Sequence, residues 1–283
     1  MSCVTRVKQI GRGVVIAGAA TALCLTTMPT ARACASRGES GIVQNDGPGP
    51  PRIPIGSANP WGRLGGIVVK QSAAFNRHQR SGAAWTDHYG WQVPASFTAP
   101  GAEAAGVRES VGLADLSWML KFDLRGYGLR RPLTLGEDAS SWDLGPLHCL
   151  LTCEPPARNA VLERLEALQA AGLDGSGIPP IYLTEVTSVF AQFLLAGPRA
   201  RQVLGKVTSV DVAERSLPDL SCRQTSLAHV GAIILRKDVD GVPAFHVLVS
   251  REYGESVWDA MLHAGHEFHL SPFGLQAQQL LRV

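Results

Sequence analysis

The strongest constraint on this chain is a block between residues 181 and 264 in which two periodicities take turns. Ile181–Val186 and Phe190–Leu195 are short apolar runs of strand length, and Gly197-Pro198 then opens a helix that reaches Val207. Ala228–Leu235 and Ala244–Val249 are again strands, placed around the turn Asp238-Val239-Asp240-Gly241. Glu252–Ala264 follows, with Val257, Trp258, Met261 and Leu262 on one helical stripe. The preceding stretch has the same order. Leu120–Arg125 alternates with period two, Leu147–Cys153 is an apolar strand, and Pro155–Ala171 carries Val161, Leu162, Leu165 and Leu168 on one face of a helix that begins with two prolines. Helices that follow pairs of strands imply an α+β domain with mostly antiparallel strands and segregated helices, not a doubly wound parallel sheet. No repeat of 20–50 residues marks a solenoid.

Upstream, Ala73–Thr86 reads as a helix broken by Asp87-His88-Tyr89-Gly90-Trp91, and Ala102–Val111 as a second helix stopped by Gly112. Tyr127–Ser141 reads as polar loop. Residues 1–34 have the layout of an export signal: Arg6, Lys8 and Arg12, then an apolar run from Val14 to Met28, then Ala31-Arg32-Ala33. That run is short for a membrane span, and no span is expected in the folded domain. Residues 35–67 are Gly/Pro-rich linker, and residues 68–283 form the domain. Two readings of the first segment stay open, a genuine signal on an exported protein or an extension on a cytoplasmic one. The cytoplasmic reading is preferred.

A net charge of +2 and the lack of a dense Lys/Arg patch argue against a nucleic-acid partner. Of the six cysteines, Cys149 and Cys153 stand four apart on one strand, too far along it to bond to each other, and read as small buried apolar residues. His263, His266 and His269, with Glu267, have the residue types of a metal site. The segment ends a helix beside Gly265, where imidazoles meet the helix dipole, and no metal is assigned. Nucleophile-elbow, P-loop and His-Glu-x-x-His patterns are absent.

Three stretches then occur in one order. The first is Gly82-Ala83 and Asp87, Gly90-Trp91, Pro94, Glu103, Val107-Arg108, Gly112-Leu113, Asp115 and Ser117. The second is Val186-Thr187-Ser188 with Leu194 through Arg201 and Val203-Leu204. The third is Leu248-Val249, Tyr253-Gly254, Val257 through Ala260, Phe268 and Phe273-Gly274-Leu275. Together they resemble the folate-binding domain of the aminomethyltransferase (glycine-cleavage T-protein) family. Trp142 to Leu151 is similar instead to a Leu-Gly-Pro run of the gamma subunits of heterotetrameric sarcosine oxidases. The resemblance implies a T-protein-type folate-binding domain without the family's C-terminal barrel, with tetrahydrofolate as the cofactor, weakly held. It also implies a role in amine and one-carbon metabolism as a transferase of aminomethyl type. The alternative is a non-catalytic partner of a flavin-dependent amine oxidase, and a glycine-cleavage component is the other partner class. Val242 stands where the family's folate-contacting Glu is expected, with Asp238 and Asp240 the nearest carboxylates. Trp91, Asp115, Ser117 and Asp240 are the expected cofactor-binding residues, with Tyr89 beside Trp91 as a further wall. The catalytic residues are unknown.

Overall fold

A computed structural model of the protein describes residues 69–126, 139–171, 181–239 and 241–282. These lie in the second of two units, residues 59–283. In chain order the strands and helices are β1 (Lys70–Gln71), α1 (Phe75–Arg80), β2 (Ala84–His88), β3 (Trp91–Ser96), α2 (Pro100–Glu109), β4 (Gly112–Asp115), β5 (Leu120–Arg125), β6 (Ala139–Gly145), β7 (His148–Cys153) and α3 (Arg158–Ala171). After these come β8 (Tyr182–Glu185), β9 (Phe190–Ala196), α4 (Ala200–Val207), β10 (Cys222–Leu227), β11 (Val230–Arg236), β12 (Ala244–Ser250), α5 (Gly254–Gly265), β13 (Ser271–Pro272) and α6 (Leu275–Leu281).

They build three sheets, of order β1-β3-β2, β10-β11-β12-β9-β4-β13 and β6-β7-β5-β8. Among the described residues the only parallel pairings are those of the two-residue strands β1 and β13. The architecture is therefore α+β and mainly antiparallel, as the strand-pair pattern requires. No helix among the described residues is long and apolar enough to cross a membrane.

The six-stranded sheet is buried on both faces, and its sequence shows how. In β9, Ala191, Phe193 and Leu195 join the cluster beneath α4 and α5, whereas Leu194 and Ala196 join the cluster beneath α2 and α6. In β12, Phe245, Val247 and Val249 take the first side, and Ala244 and Leu248 the second. Period-two alternation thus sorts two apolar sets onto opposite faces. The four-stranded sheet is also two-sided. Leu120, Phe122 and Leu124 pack with Val161 and Leu165 of α3, while Trp142 and Leu150 pack on Leu235 and Leu248 of the large sheet. Cys149 and Cys153 are both buried in the α3 cluster, consistent with their shared strand face.

Four local expectations change. The first helix covers only Phe75–Arg80, because Gly82 turns the chain at φ 76° and Ala84–His88 pairs with β3 as a hairpin. Tyr89 and Gly90, both at positive φ, form that hairpin's two-residue turn, and Asp87 Oδ1 accepts from Gly90 N at 3.2 Å. The second helix stops at Glu109, and Gly112 opens β4 instead of capping the helix. A Cβ at Gly112 would come within 2.5 Å of Val107 and 2.7 Å of Phe273, so close packing fixes this glycine. Ala139–Gly145 forms β6, the partner of β7, and so takes up residues 139–141 of the expected loop, whose residues 127–138 lie outside the described ones; Leu147 lies in the turn between β6 and β7, exposed. Cys222–Leu227 adds β10, a mostly polar edge strand without the apolar period that betrays the others.

A buried carboxylate joins these layers. Asp115 Oδ2 meets His78 Nε2 at 2.8 Å, and Asp115 Oδ1 accepts from Ser117 N at 2.9 Å. Burial opposes its charge, but hydrogen bonds from His78, Ser117 and Ser72 outweigh that and hold its carboxyl below the usual value. Lys121 is fully buried, and its amino group donates to the carbonyls of Ser117 (3.1 Å) and Met119 (2.7 Å). Desolvation pushes its pKa down to about 7, against the pull of Asp115.

Two predictions follow from this packing. Trp258 is 1% exposed, edge-on to His78 at 4.5 Å between ring centres and 5.3 Å from Phe193. Trp258→Ala should cost about 3–5 kcal/mol in urea unfolding, and Trp258→Phe much less, because Trp258 Nε1 has no hydrogen-bond partner among the described residues to lose. A loss below about 1 kcal/mol for the alanine variant would contradict burial. For Lys121 the unfolded chain takes up a proton below its ordinary pKa of 10.5, but the folded chain does so only near 7. Unfolding free energy should therefore rise with pH across that window. The profile of Lys121→Met should lack that component when both proteins are unfolded at pH 7 and pH 9.5. Parallel profiles would show that the amine is not held neutral.

Candidate functional site

The turn between β4 and β5 begins with Asp115. Its carboxylate binds the Ser117 amide, Met119 N donates to Leu116 O at 3.0 Å, and Ser117 Oγ accepts from Gln192 N at 3.2 Å. This Asx-type turn projects Leu116, Trp118 and Met119 into the space between the two larger sheets. A cavity of about 540 Å³ opens there. Across from the turn stand Trp142 of β6, Thr152 and Cys153 of β7, and Ala157 and Ala160 at the start of α3. The large sheet contributes Lys237, Asp238 and Val239 after β11 and His246 of β12, and α6 brings Gln278 and the residue after it, Arg282.

The inner surface is buried and largely apolar. Leu116, Trp118, Trp142 and Val239 are each at most 8% exposed. Trp142 is fixed in place by its Nε1, which donates to Thr152 Oγ1 at 2.8 Å. The exposed side chains Glu154, Lys237 and Arg282 form the mouth. This combination of apolar walls and a few placed polar groups, in a volume within the roughly 300–1,000 Å³ common for small-ligand sites, is that of a binding pocket.

A polar pair, His246 in the lining and Gln192 behind it, comes from two strand positions where an apolar residue would be expected. Gln192 and His246 occupy the inner face of β9 and β12 at diagonal positions, since Gln192 pairs with Leu248 and His246 with Leu194. Gln192 Nε2 lies 3.1 Å from His246 Nδ1 and 3.6 Å from Met119 Sδ. Burial first, then the charges of Lys237 and Lys121, lowers the His246 pKa to about 3, so the imidazole is neutral at ordinary pH. Asp238 is fully engaged: Arg236 reaches its two oxygens at 2.9 and 2.6 Å, and Ala244 N donates to it at 3.3 Å.

Of the four expected cofactor-binding residues, the three that are described, Trp91, Asp115 and Ser117, do not line this cavity. Trp91 is buried beside Val93 and Ala104 in the cluster under α2 and α6, with Lys70 Nζ 5.6 Å from its ring centre. Tyr89 is exposed in the hairpin turn. Asp115 and Ser117 lie together behind the wall and shape the turn that carries Trp118 and Met119. Asp240 lies outside the described residues. Val242 exchanges main-chain hydrogen bonds with Val239 at 2.9 and 3.0 Å, and Val239 rather than Val242 lines the cavity.

Of the histidine run, His263 sits in the last turn of α5, and His269 follows in a left-handed conformation at φ 55°. Sequence reading missed His246, Gln192 and Lys121. The available signal was a polar residue in strands otherwise apolar on both faces.

The comparisons with known proteins agree with this architecture. The sequence model of the GCVT N-terminal domain family matches residues 134–283, which carry most of the cavity lining. An aminomethyltransferase of Geobacillus sp. (strain WCH70) is 27% identical over 235 residues, covering 76% of this chain and 64% of that protein. An aminomethyltransferase of Acidobacterium capsulatum is 28% identical over 237 residues, covering 76% and 62%. The chain thus spans less than two thirds of the length of these relatives. The sarcosine oxidase subunit alpha of Rhizobium meliloti (strain 1021) is 27% identical over 212 residues, 64% of this chain and 21% of that one. Among solved structures, the glycine cleavage system aminomethyltransferase T of Bartonella henselae superposes with a TM-score of 0.58 at 17% identity, covering 76% of this chain and 62% of that one, and so shares its fold. With its matched segment, its α+β sheets and its ordered motifs in agreement, the chain belongs to the GCVT N-terminal domain family, the aminomethyltransferase-like proteins.

Proposed function

We propose that the chain is a tetrahydrofolate-binding module of aminomethyltransferase type, acting in amine and one-carbon metabolism. The observation that carries this reading is the cavity between the two larger sheets. Its volume and its walls of Trp118, Trp142, Met119 and Val239 fit a flat heteroaromatic ring with an extended tail. Tetrahydrofolate would supply the one-carbon acceptor chemistry. The chain's own contribution is to hold and orient. Trp118 and Trp142 wall the ring space, and Ala157 and Ala160 of α3 leave room beside it. His246 and Lys237 offer polar contacts, and the buried inner walls limit water.

A second reading, a partner module of a flavin-dependent amine oxidase, has one specific observation in its favour. The sarcosine oxidase subunit relative matches this chain over only 21% of its own length, so the matched region is there one part of a longer subunit. Co-purification of the two chains after co-expression with an amine oxidase subunit would support that reading, and separate elution would count against it.

Isothermal titration of the purified chain with tetrahydrofolate should show saturable, one-site binding. Ala160 is an exposed residue at the cavity wall, so Ala160→Phe fills the space without disturbing the core. This variant should melt at the wild-type temperature and bind at least tenfold more weakly, a loss of about 1.4 kcal/mol or more. Unchanged binding in a folded Ala160→Phe protein would place the folate elsewhere, and no binding by the wild type would remove the proposal.

A further inference from the structure

His246 lines the cavity, and its buried partner Gln192 behind it decides which of its ring nitrogens is free. Gln192 Nε2 has two N–H groups, and both have takers, His246 Nδ1 at 3.1 Å and Met119 Sδ at 3.6 Å. The opposite amide orientation would set the carbonyl oxygen against the thioether sulfur, two acceptors face to face. With Nδ1 accepting, a neutral imidazole carries its proton on Nε2, the nitrogen left for a ligand. His246 therefore presents an N–H donor to the cavity from a position only 7% exposed.

At the mouth, Lys237 and Arg282 add two cationic side chains. The one half-buried carboxylate in the lining, Asp238, already accepts from Arg236 and from Ala244 N. The other, Glu154, is exposed at the mouth. A ligand that enters deeply thus meets the His246 N–H inside and two cations at the entrance, while the Gln278 carboxamide offers donor and acceptor alike. Set against the His246 N–H, a donor group such as the amine or N–H edge of a pteridine would lose its water without replacement, at a cost of about 1–3 kcal/mol. An acceptor group regains a hydrogen bond at that point, and a charged one is further favoured by the cations at the mouth.

We propose that this cavity recognises its ligand by a carboxylate, which reaches the His246 Nε2–H between the sheets while Lys237 and Arg282 neutralise charge at the entrance. The inference rests on the reading of the cavity as a ligand site and deepens it. On a folate, the carboxylate end rather than the donor edge of the pteridine would be the part held at His246.

Titration calorimetry of the full chain with three probes tests this: tetrahydrofolate, p-aminobenzoyl-glutamate, which keeps the carboxylates and lacks the pteridine, and 6-methyltetrahydropterin, which does the reverse. The expected result is binding of the first two and little of the third. His246→Phe, which keeps the ring volume and removes the donor, should weaken p-aminobenzoyl-glutamate about tenfold to a hundredfold, the range for a hydrogen bond to a charged group. If that variant does not fold, Lys237→Met at the exposed mouth should weaken the same probe several-fold. Binding of p-aminobenzoyl-glutamate in the absence of pterin binding supports the inference even if tetrahydrofolate itself is weak. Tight binding of 6-methyltetrahydropterin, or tetrahydrofolate binding indifferent to both variants, overturns this inference and leaves the folate reading standing. Failure of all three probes overturns both.

Discussion

The carboxylate of Asp115 is the point at which the two larger sheets and α1 are tied together. It ends β4 in the large sheet, holds His78 of α1 at 2.8 Å, and shapes the turn into β5 of the four-stranded sheet. A charge so deeply buried is tolerable only when its oxygens are fully engaged, and here His78, the Ser117 amide and Ser72 engage them. The same turn delivers its carbonyls at Ser117 and Met119 to the buried Lys121 amine. One residue thus fixes the entry angle of β5, the position of α1 and the wall that carries Trp118 and Met119.

A second constraint comes from the large sheet having apolar material on both sides. Its outer face is sealed by α4 and α5 through Phe193, Phe245, Val247 and Trp258, and the polar side chains buried beside these are paired, His78 with Asp115 and Arg236 with Glu214 and Asp238. Its inner face is shared among α2 and α6, the four-stranded sheet and the cavity. The inner face alone carries Gln192 and His246, and Lys121 approaches from the opposite sheet. Polar groups at such positions cost stability unless they have partners, and Gln192 Oε1 is buried without one among the described residues. Their concentration beside one cavity is what supports the proposal that it is a ligand site.

Glu103 shows how a surface helix is tied to that arrangement. Its carboxylate accepts from Phe97 N and Thr98 N at 2.6 Å and from Gly274 N at 2.8 Å, so it joins the loop before α2 to the start of α6. A Cβ at Gly274 would lie 2.4 Å from the Ala95 carbonyl, which is why this approach needs glycine. α6 in turn brings Gln278 and Arg282 to the cavity. The ordered motifs of the sequence therefore include residues far from the cavity whose work is to deliver its wall.

The sequence by itself determined the class of the fold and most of its elements. The alternating run at 120–125, the apolar runs of strand length at 147–153, 190–195, 228–235 and 244–249, and the helical stripes at 155–171 and 252–264 correspond to β5, β7, β9, β11, β12, α3 and α5. These patterns are legible because burial on a strand or helix face leaves a local period. Tertiary structure alone decided the rest. β2, β6 and β10 have weak or polar patterns and exist because a neighbouring strand supplies their hydrogen bonds. The cavity unites residues more than a hundred positions apart, Trp118 with His246 and Trp142 with Arg282. Lys121 occupies a position that alternation alone assigns to solvent, and it is buried because the face opposite α3 is covered by the large sheet. Period reports which residues share a face, but not what that face meets, and the site was decided by that second fact.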